Sequence, residues 1–371
     1  MTAHVGPWAV RVASAPVNFG VYRADHAPLG PDELLATMRE AGYDGCDCGP
    51  IGYLGTARTL PRRLAEHGLG LAGGWVDLRY DDPYGFREDL AVLDAALDVF
   101  TAVRDAAQAR DAVHDPLAQV RDAAQARDVV RDDEPVRPRG SEGERDRRAA
   151  GAASEACVAW VADPRFAPRP TLACPDRPER FARPGMPADA RLSLPDGDWL
   201  AYARCIEEAA VRCRARGLEP VFHHHLGTDV ETPEEIERLL GSTNVSLCLD
   251  TGHLWLAGGN PVAAIRDWSS RIRQVHLKDA SRDVLARVRV NGGDLWDLVA
   301  AGGFPPLGRG DLDLPAVLAE LRRSGYEGWI VIEQDVPAFR ASDTEALARA
   351  VADQRANRAA FGEALRAAGL A

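Results

Sequence analysis

The chain has 371 residues, and its 44 lysines and arginines against 56 aspartates and glutamates give a formal net charge of −12. This acidic balance argues against a nucleic-acid-binding protein, because affinity for phosphates depends on a surplus of cations. A hydrophobic fraction of 46% supplies enough apolar side chains for a large core and excludes a wholly disordered chain.

Neither a membrane segment nor a secretion signal is predicted. No stretch approaches the roughly 18 uninterrupted apolar residues of a membrane helix, and the first residues lack the basic and apolar regions of a signal peptide. The seven cysteines are an odd and scattered set, which favours a reducing compartment over a disulfide framework. We therefore predict a soluble cytoplasmic protein, in which Cys46 and Cys48 are buried thiols rather than zinc ligands.

Short apolar runs alternate along the chain with polar turns and with helical patterns of about 10 to 15 residues. This alternation is typical of parallel strands joined by crossover helices. Eight runs are predicted as strands, at residues 17–22, 44–48, 69–76, 171–174, 220–224, 246–250, 272–278 and 328–334.

Helix start signals follow residues 30, 195, 231 and 312. Glycines at 42, 217, 241 and 325 are placed where each of these helices should end. Eight strands that alternate with helices predict a (β/α)₈ TIM barrel, with an open doubly wound sheet as the alternative. No G-x-G-x-x-G motif follows the first strand, which argues against a dinucleotide-binding version of that alternative.

One segment, residues 101–155, departs from this alternation. It is rich in alanine, arginine and aspartate, and the nine residues VRDAAQARD occur at 103–111 and again at 120–128. The sequence after the second copy has too few apolar residues to fold by itself. We predict a charged insertion, helical or disordered, that follows the third strand and takes no part in the chemistry of a single domain spanning residues 1–371.

Polar side chains follow the last four predicted strands, at the point where each strand ends. In a (β/α)₈ barrel the carboxyl ends of the strands converge on one cavity, so we expect these side chains to meet there. They are His223, His224 and His225 after strand five, Asp250 and His253 after strand six, His276 and Lys278 after strand seven, and Glu333 after strand eight.

Aspartate, histidine and glutamate from three successive strands would supply two anionic oxygens and one imidazole nitrogen. This donor set suits Mn²⁺, Co²⁺, Fe²⁺, Mg²⁺ or Zn²⁺ with positions left open for a substrate. An ion of this kind polarises a carbonyl and stabilises an enolate. Any one of these residues is by itself better explained by packing or by an ion pair, but polar groups at four consecutive strand ends favour a metal site.

Several stretches resemble the xylose-isomerase-like TIM barrels, a superfamily of sugar phosphate isomerases and epimerases, and most closely its inosose dehydratase branch. They are FHHHLGTDVETPEEIERLL, LCLDTGHLWLAGGNP, IRQVHLKDASRDVLARVR and GDLDLPAVLAELRRSGYEGWIVIEQD, together with VNFGVYRADHAPLGPDELLATMREAGYDGCDCGPIGYLG near the amino terminus. The resemblance covers residues 17–90 and 195–340 and leaves the middle of the chain unmatched.

The resemblance implies that Asp250, His276 and Glu333 bind a divalent metal ion. The related epimerases take a fourth ligand from a strand-five glutamate, whose place here is occupied by histidines. Alternation along a strand turns His223 and His225 to one side, and we expect His223 to be the fourth ligand. His224, on the other side, is expected to pack in the barrel.

Three further residues are candidates for substrate contacts. His253 matches a residue that touches a substrate oxygen in the epimerases. Asp47 stands where the dehydratase pattern has a glutamate, so its shorter carboxylate reaches less far. Arg309 is a candidate for holding a substrate oxygen, although a salt bridge within its loop is the more ordinary interpretation.

The implied activity is a dehydratase that removes water from a keto-inositol, 2-keto-myo-inositol, through a metal-bound enolate. Candidates for general acid and base are His225, His253, Lys278 and Glu333, and we favour a histidine or Lys278 as the proton shuttle because a carboxylate bound to a metal is a weakened base. Manganese or cobalt is the expected metal, with zinc, iron or magnesium as alternatives. The resemblance leaves a requirement for glutathione and the formation of homo-oligomers open.

Three alternatives remain at this point. An epimerase or isomerase would use the same metal and return the proton to carbon. A non-catalytic sugar-binding protein would explain the absent strand-five glutamate. A phosphodiesterase of the apurinic endonuclease type is disfavoured, because residues 27–222 contain only His67 and His114 as histidines and the net charge is negative.

Overall fold

The computed structural model describes residues 8–114 and 163–370. Eight parallel strands form a closed barrel in which each strand pairs with the next and the last pairs with the first. The predicted (β/α)₈ barrel is therefore confirmed. The strands are β1 Val10–Ser14, β2 Gly45–Asp47, β3 Gly70–Asp77, β4 Arg169–Ala173, β5 Val221–His223, β6 Ser246–Asp250, β7 Ile272–Leu277 and β8 Gly328–Ile332.

Helices cover the outside of the barrel between successive strands. In the described part of the chain, no helix has the length and apolar character needed to cross a bilayer. The helices are α1 Pro31–Glu40, α2 Leu60–His67, α3 Pro83–His114, α4 Pro178–Phe181, α5 Asp196–Ala215, α6 Pro233–Ser242, α7 Thr251–Leu256, α8 Pro261–Trp268, α9 Arg282–Val290, α10 Leu295–Ala300, α11 Leu314–Arg323 and α12 Thr344–Ala367.

The first strand lies earlier in the chain than predicted. Residues 17–22 were expected to form it, whereas β1 ends at Ser14 and Pro16–Phe19 form a turn of 3-10 helix. Pro16 has no N–H to donate to a neighbouring strand, and Gly20 at a φ of 69° ends the turn. The other seven strands begin and end within two residues of their predicted bounds.

The four predicted helices are present, and three of the four predicted ends are found. Gly42, Gly217 and Gly325 follow α1, α5 and α11 with φ angles of 89°, 70° and 74°, a conformation that other residues rarely adopt. Gly241 instead lies inside α6, which continues to Ser242.

The charged repeat begins inside a barrel helix. The first copy of VRDAAQARD belongs to α3, and Val103 of that copy is buried against the core. The barrel scaffold thus extends past residue 101, where the insertion was predicted to start. The second copy, at 120–128, and the rest of the predicted insertion up to residue 155 lie outside the described residues.

The main core lies between the barrel and its helices. β6 and β8 are buried along their whole length, as expected for parallel strands that are covered on both faces. Capping residues fix the helices on this core: Thr232 and Glu235 form a capping box at the start of α6, and Asp250 caps α7. The polar ends of β5–β8 are thereby held over the mouth of the barrel.

Candidate metal centre and substrate cavity

Four side chains from β5–β8 bring one donor atom each to a common point. Register places Asp250 beside His276 on adjacent strands, and the donor atoms of all four lie within 4.8 Å of one another. His223 Nε2 lies 3.1 Å from His276 Nδ1 and 3.6 Å from Asp250 Oδ2. His276 Nδ1 also lies 2.9 Å from Glu333 Oε2. The predicted ligands of strands five to eight, His223, Asp250, His276 and Glu333, are thus brought together.

These donors fit a divalent metal ion. Two ligands that are each about 2.1 Å from one ion stand roughly 3.0–3.4 Å apart, close to the separations found here. His223, Asp250 and His276 are almost fully buried, and Asp250 Oδ2 has no hydrogen-bond partner among the described residues. A buried carboxylate oxygen that accepts no hydrogen bond is costly, and a metal ion would satisfy it beside the Lys278 ammonium, which lies 3.4 Å away.

The two imidazoles of the centre differ in charge. Burial lowers the pKa of His223 to about 4, so its ring is neutral at pH 7 and offers a lone pair. Burial opposes a charge on His276 too, but Cys248 and the Glu333 carboxylate outweigh it and raise the pKa of His276. Metal binding at this centre therefore competes with a proton.

A single ammonium group lies beneath the metal centre. Lys278 is the only lysine of the chain and is fully buried. Its Nζ lies 2.7 Å from Glu333 Oε1, 2.9 Å from Asp335 Oδ2 and 3.4 Å from Asp250 Oδ2. Burial alone would discharge this amine, but the three carboxylates raise its pKa well above the usual range. Lys278 is therefore held in its charged form, and its role as a proton shuttle stays a prediction.

The remaining strand-end histidines occupy distinct positions. His224 is buried and its Nε2 accepts a hydrogen bond of 3.2 Å from the Asp250 amide, in keeping with the packing role predicted for it. His253 is also buried, and its Nε2 lies 2.9 Å from Lys278 Nζ. Only His225 of the three borders the substrate cavity, where its ring packs against Trp75 at 5.5 Å between centroids.

A second group of donors, His225, His253 and Asp335, also clusters within 4.8 Å. Lys278 Nζ already lies 2.9 Å from both His253 Nε2 and Asp335 Oδ2. The ammonium thus takes the place that a second cation would need. The geometry favours one ion, at the first group.

A cavity of about 460 Å³ opens at the carboxyl ends of the strands. Of the predicted site residues, Asp47, His225, His276 and Glu333 line it. The buried donors His223 and Asp250 lie below this lining, as do His253 and Lys278. The metal centre therefore faces the cavity through His276 and Glu333.

Asp47 presents an unsatisfied carboxylate to this cavity. The residue is 6% exposed, and its Oδ1 accepts a 2.8 Å hydrogen bond from the Gly49 amide. Its Oδ2 has no hydrogen-bond partner among the described residues. Burial raises the pKa of Asp47 to about 6. Both observations fit the predicted contact with a substrate.

The predicted substrate contact of Arg309 does not receive the same support. Arg309 is exposed and is not part of the cavity lining. The carboxylate of Asp279 accepts hydrogen bonds from the amides of Gly308, Gly310 and Leu312. These bonds fold the loop around Asp279 and leave the Arg309 side chain outside.

Several lining residues were missed by the sequence analysis. Asp77 follows another lining residue, Trp75, by two positions within β3, so strand alternation could have identified it. The others lie outside the strands, on loops or in the short helices α4 and α10. They are Tyr22, Asp176, Phe181, Trp296 and Asp335.

Comparison with known proteins agrees with this geometry. A family model described as a xylose isomerase-like TIM barrel matches residues 179–356. The rhizopine catabolism protein MocC of Rhizobium meliloti is 30% identical over 334 residues, which cover 88% of this chain and 82% of that protein.

Two further proteins match less of the sequence. An inosose dehydratase of Geobacillus kaustophilus is 39% identical over 145 residues, or 38% of this chain, and the match spans 47% of the length of that enzyme. The solved structure of the IOLI protein with a bound zinc atom superposes with a TM-score of 0.55 at 12% identity, covering 96% of this chain and 98% of that one. At 12% identity, the likeness to the IOLI protein shows a common fold.

Proposed function

The chain belongs to the xylose isomerase-like TIM barrel family, and from this premise we propose that it is a metal-dependent hydro-lyase acting on a keto-inositol. The observation that carries the proposal is the four-donor centre of His223, Asp250, His276 and Glu333 at the floor of a cavity large enough for one sugar ring. The inosose dehydratase and the zinc-containing IOLI protein support the reaction class and a divalent ion.

A divalent ion at this centre would supply a Lewis acid that makes a C–H next to a ketone more acidic. The protein must then take that proton and deliver one to the departing hydroxyl group. Among the groups that line the cavity, we assign proton transfer to the carboxylate of Asp47 and to Nε2 of His225, whose Nδ1 lies 2.7 Å from the Leu226 carbonyl oxygen. His253 and Lys278 are engaged with each other below the lining and act by holding Glu333 and Asp335.

Turnover of 2-keto-myo-inositol tests the proposal directly. Protein loaded with Mn²⁺ or Co²⁺ should produce the ultraviolet absorbance of a conjugated dione, and removal of the metal by a chelator should abolish it. Parallel reactions with and without glutathione determine whether the thiol is required. Because the relative that spans most of the chain is named for rhizopine catabolism, rhizopine-derived ketones belong in the same substrate panel.

The alternatives give different results in the same assay. A change in sugar stereochemistry without the absorbance would replace the dehydratase by an epimerase. Purified protein that binds no divalent metal at all would favour a non-catalytic sugar-binding role and contradict the proposal.

A further inference from the structure

The substrate cavity has an unbalanced set of charges. In the described part of the chain, its lining contains two histidines and five carboxylates but no lysine or arginine. The carboxylates belong to Asp47, Asp77, Asp176, Glu333 and Asp335. Away from the metal centre, a ligand in this cavity therefore meets mainly negative groups.

Two of the five carboxylates have a cation of their own. Glu333 Oε1 and Asp335 Oδ2 lie 2.7 and 2.9 Å from Lys278 Nζ, and Glu333 is in addition one of the four metal donors. The charge on this side of the cavity is therefore matched from within the protein.

The other three carboxylates lie on the opposite half of the barrel. Asp47 and Asp77 end β2 and β3, and Asp176 follows β4. The charged groups of the described chain that act on them most strongly are histidines and other carboxylates, not arginines or lysines. Asp77 and Asp176 both line the cavity, and burial, helped by the carboxylate of Asp176, raises the pKa of Asp77.

Asp47 independently indicates that the β2–β4 side of the cavity lacks a hydrogen-bond donor. The residue borders the cavity and is 6% exposed, yet its Oδ2 is buried without a hydrogen-bond partner among the described residues. A buried carboxylate oxygen is rarely left in this state. A ligand with an N–H or O–H group would satisfy it.

Aromatic rings complete the same cavity. Trp75, Trp296, Tyr22 and Phe181 contribute to its lining, and the rings of Tyr22 and Trp296 pack edge to face at 5.0 Å. Aromatic faces attract cations and cover the C–H groups of a sugar ring. They offer nothing to an anion.

We propose that this cavity takes a cyclic polyol that bears a protonated amine, held by Asp47, Asp77 and Asp176, in preference to the corresponding neutral polyol. The choice of a cyclic polyol rests on the proposed function. The preference for an amine does not, because it follows from the three carboxylates whatever reaction the protein catalyses. Attraction between the ammonium and three carboxylates that have no lysine or arginine beside them supplies the selectivity.

Calorimetric titration of the metal-loaded protein at pH 7 tests this selectivity. The probes are myo-inositol and an inositol with one hydroxyl group replaced by an amino group. We expect the amino-inositol to bind at least about fivefold more tightly than myo-inositol at low salt, with a smaller difference at high salt. Equal affinities, or tighter binding of myo-inositol, would overturn the inference.

Substitutions then locate the effect. Asp77→Asn with Asp176→Asn changes two exposed side chains and should reduce the preference for the amino-inositol to within about twofold, at unchanged metal content. Asp81→Asn is the matched control, since Asp81 is an exposed acid in the loop after β3 but outside the cavity lining. A full preference in both the double variant and an Asp47→Asn variant would refute the assignment.

These inositols carry no ketone, so the titration measures binding without turnover. A protein that prefers the amino-inositol but fails to dehydrate any ketone would contradict the proposed function and leave this inference intact. Dehydration of the neutral ketone without any preference for the amine would support the proposed function and contradict this inference.

Discussion

The two halves of the barrel treat acidic side chains in opposite ways. On β5–β8 and the segment after β8, Asp250, Glu333 and Asp335 surround the buried ammonium of Lys278. On β2–β4, Asp47, Asp77 and Asp176 face the same cavity without such a partner. The carboxyl-terminal half is thus organised around cations that belong to the protein, whereas the amino-terminal half leaves its charge to be matched by a ligand.

The largest effect is expected from removing the metal donors of the carboxyl-terminal half. Asp250→Ala with His276→Ala deletes two of the four metal donors. Even the loss of a residue that only hydrogen-bonds to a metal ligand costs about 10–100-fold in metal affinity or activity. We therefore expect no bound metal and a loss of activity above about 100-fold. Elemental analysis and turnover measure the two quantities. Asp267→Ala, an exposed acid on α8, is the control, and metal retained by the double variant would contradict the assigned centre.

Removing the ammonium should affect stability more than chemistry. Lys278→Met leaves three buried carboxylates without their counter-charge, and breaking a buried ion pair in this way costs about 3–5 kcal/mol. Urea denaturation measures the free energy of unfolding. Lys278→Arg is the informative comparison, because a guanidinium is too broad for a site built around one nitrogen, and it should also destabilise the protein. If Lys278→Met were as stable as the natural chain, the three carboxylates would not depend on this ammonium, and the contrast between the two halves of the barrel would be wrong.

A smaller and pH-dependent effect is expected at Asp47. Burial raises its pKa to about 6, so the folded protein holds the proton more tightly than the unfolded chain and loses stability as pH rises through this range. For metal-free protein, the stability of Asp47→Asn relative to the natural chain should be about 1 kcal/mol greater at pH 8 than at pH 5. Urea denaturation at both pH values tests this. Asp81→Asn should give no such difference, and a pH-independent offset for Asp47→Asn would show that its carboxylate is already matched.

The smallest effect is expected at Arg309. The side chain is exposed and stands outside the cavity lining, so Arg309→Ala should leave kcat/KM for the keto-inositol within about twofold of the natural value. Steady-state kinetics measure this ratio. A large rise in KM would restore Arg309 as a substrate contact and add a cation to the cavity, against the charge contrast described above.

The sequence allowed the carboxyl-terminal half to be predicted in detail. Asp250, His276 and Glu333 each follow a run of apolar residues, and parallel strands bring such ends together, so pattern alone placed them at one point. The choice of His223 followed from alternation along a strand. This logic uses only the period of a strand and the topology of a barrel.

The amino-terminal half was predicted less well for a physical reason. Tyr22 and Asp176 lie on loops, whose path depends on tertiary contacts and not on a period. The first strand was misplaced because Arg11 interrupts the apolar run of β1, while the more apolar residues after Pro16 form a turn. In the carboxyl-terminal half, one prediction lacked support for a similar reason. Three amide hydrogen bonds to Asp279 hold the loop so that Arg309 lies outside the cavity lining, and no local pattern reveals such bonds.

The burial of the only lysine has a practical consequence. Reagents that acylate primary amines meet no ε-amino group on the surface of the native fold, since Lys278 is fully enclosed. Acylation at this residue, read by mass spectrometry, would therefore report directly on opening of the barrel mouth. Because the sequence has no other lysine, the rate of acylation at Lys278 measures how often the native fold opens.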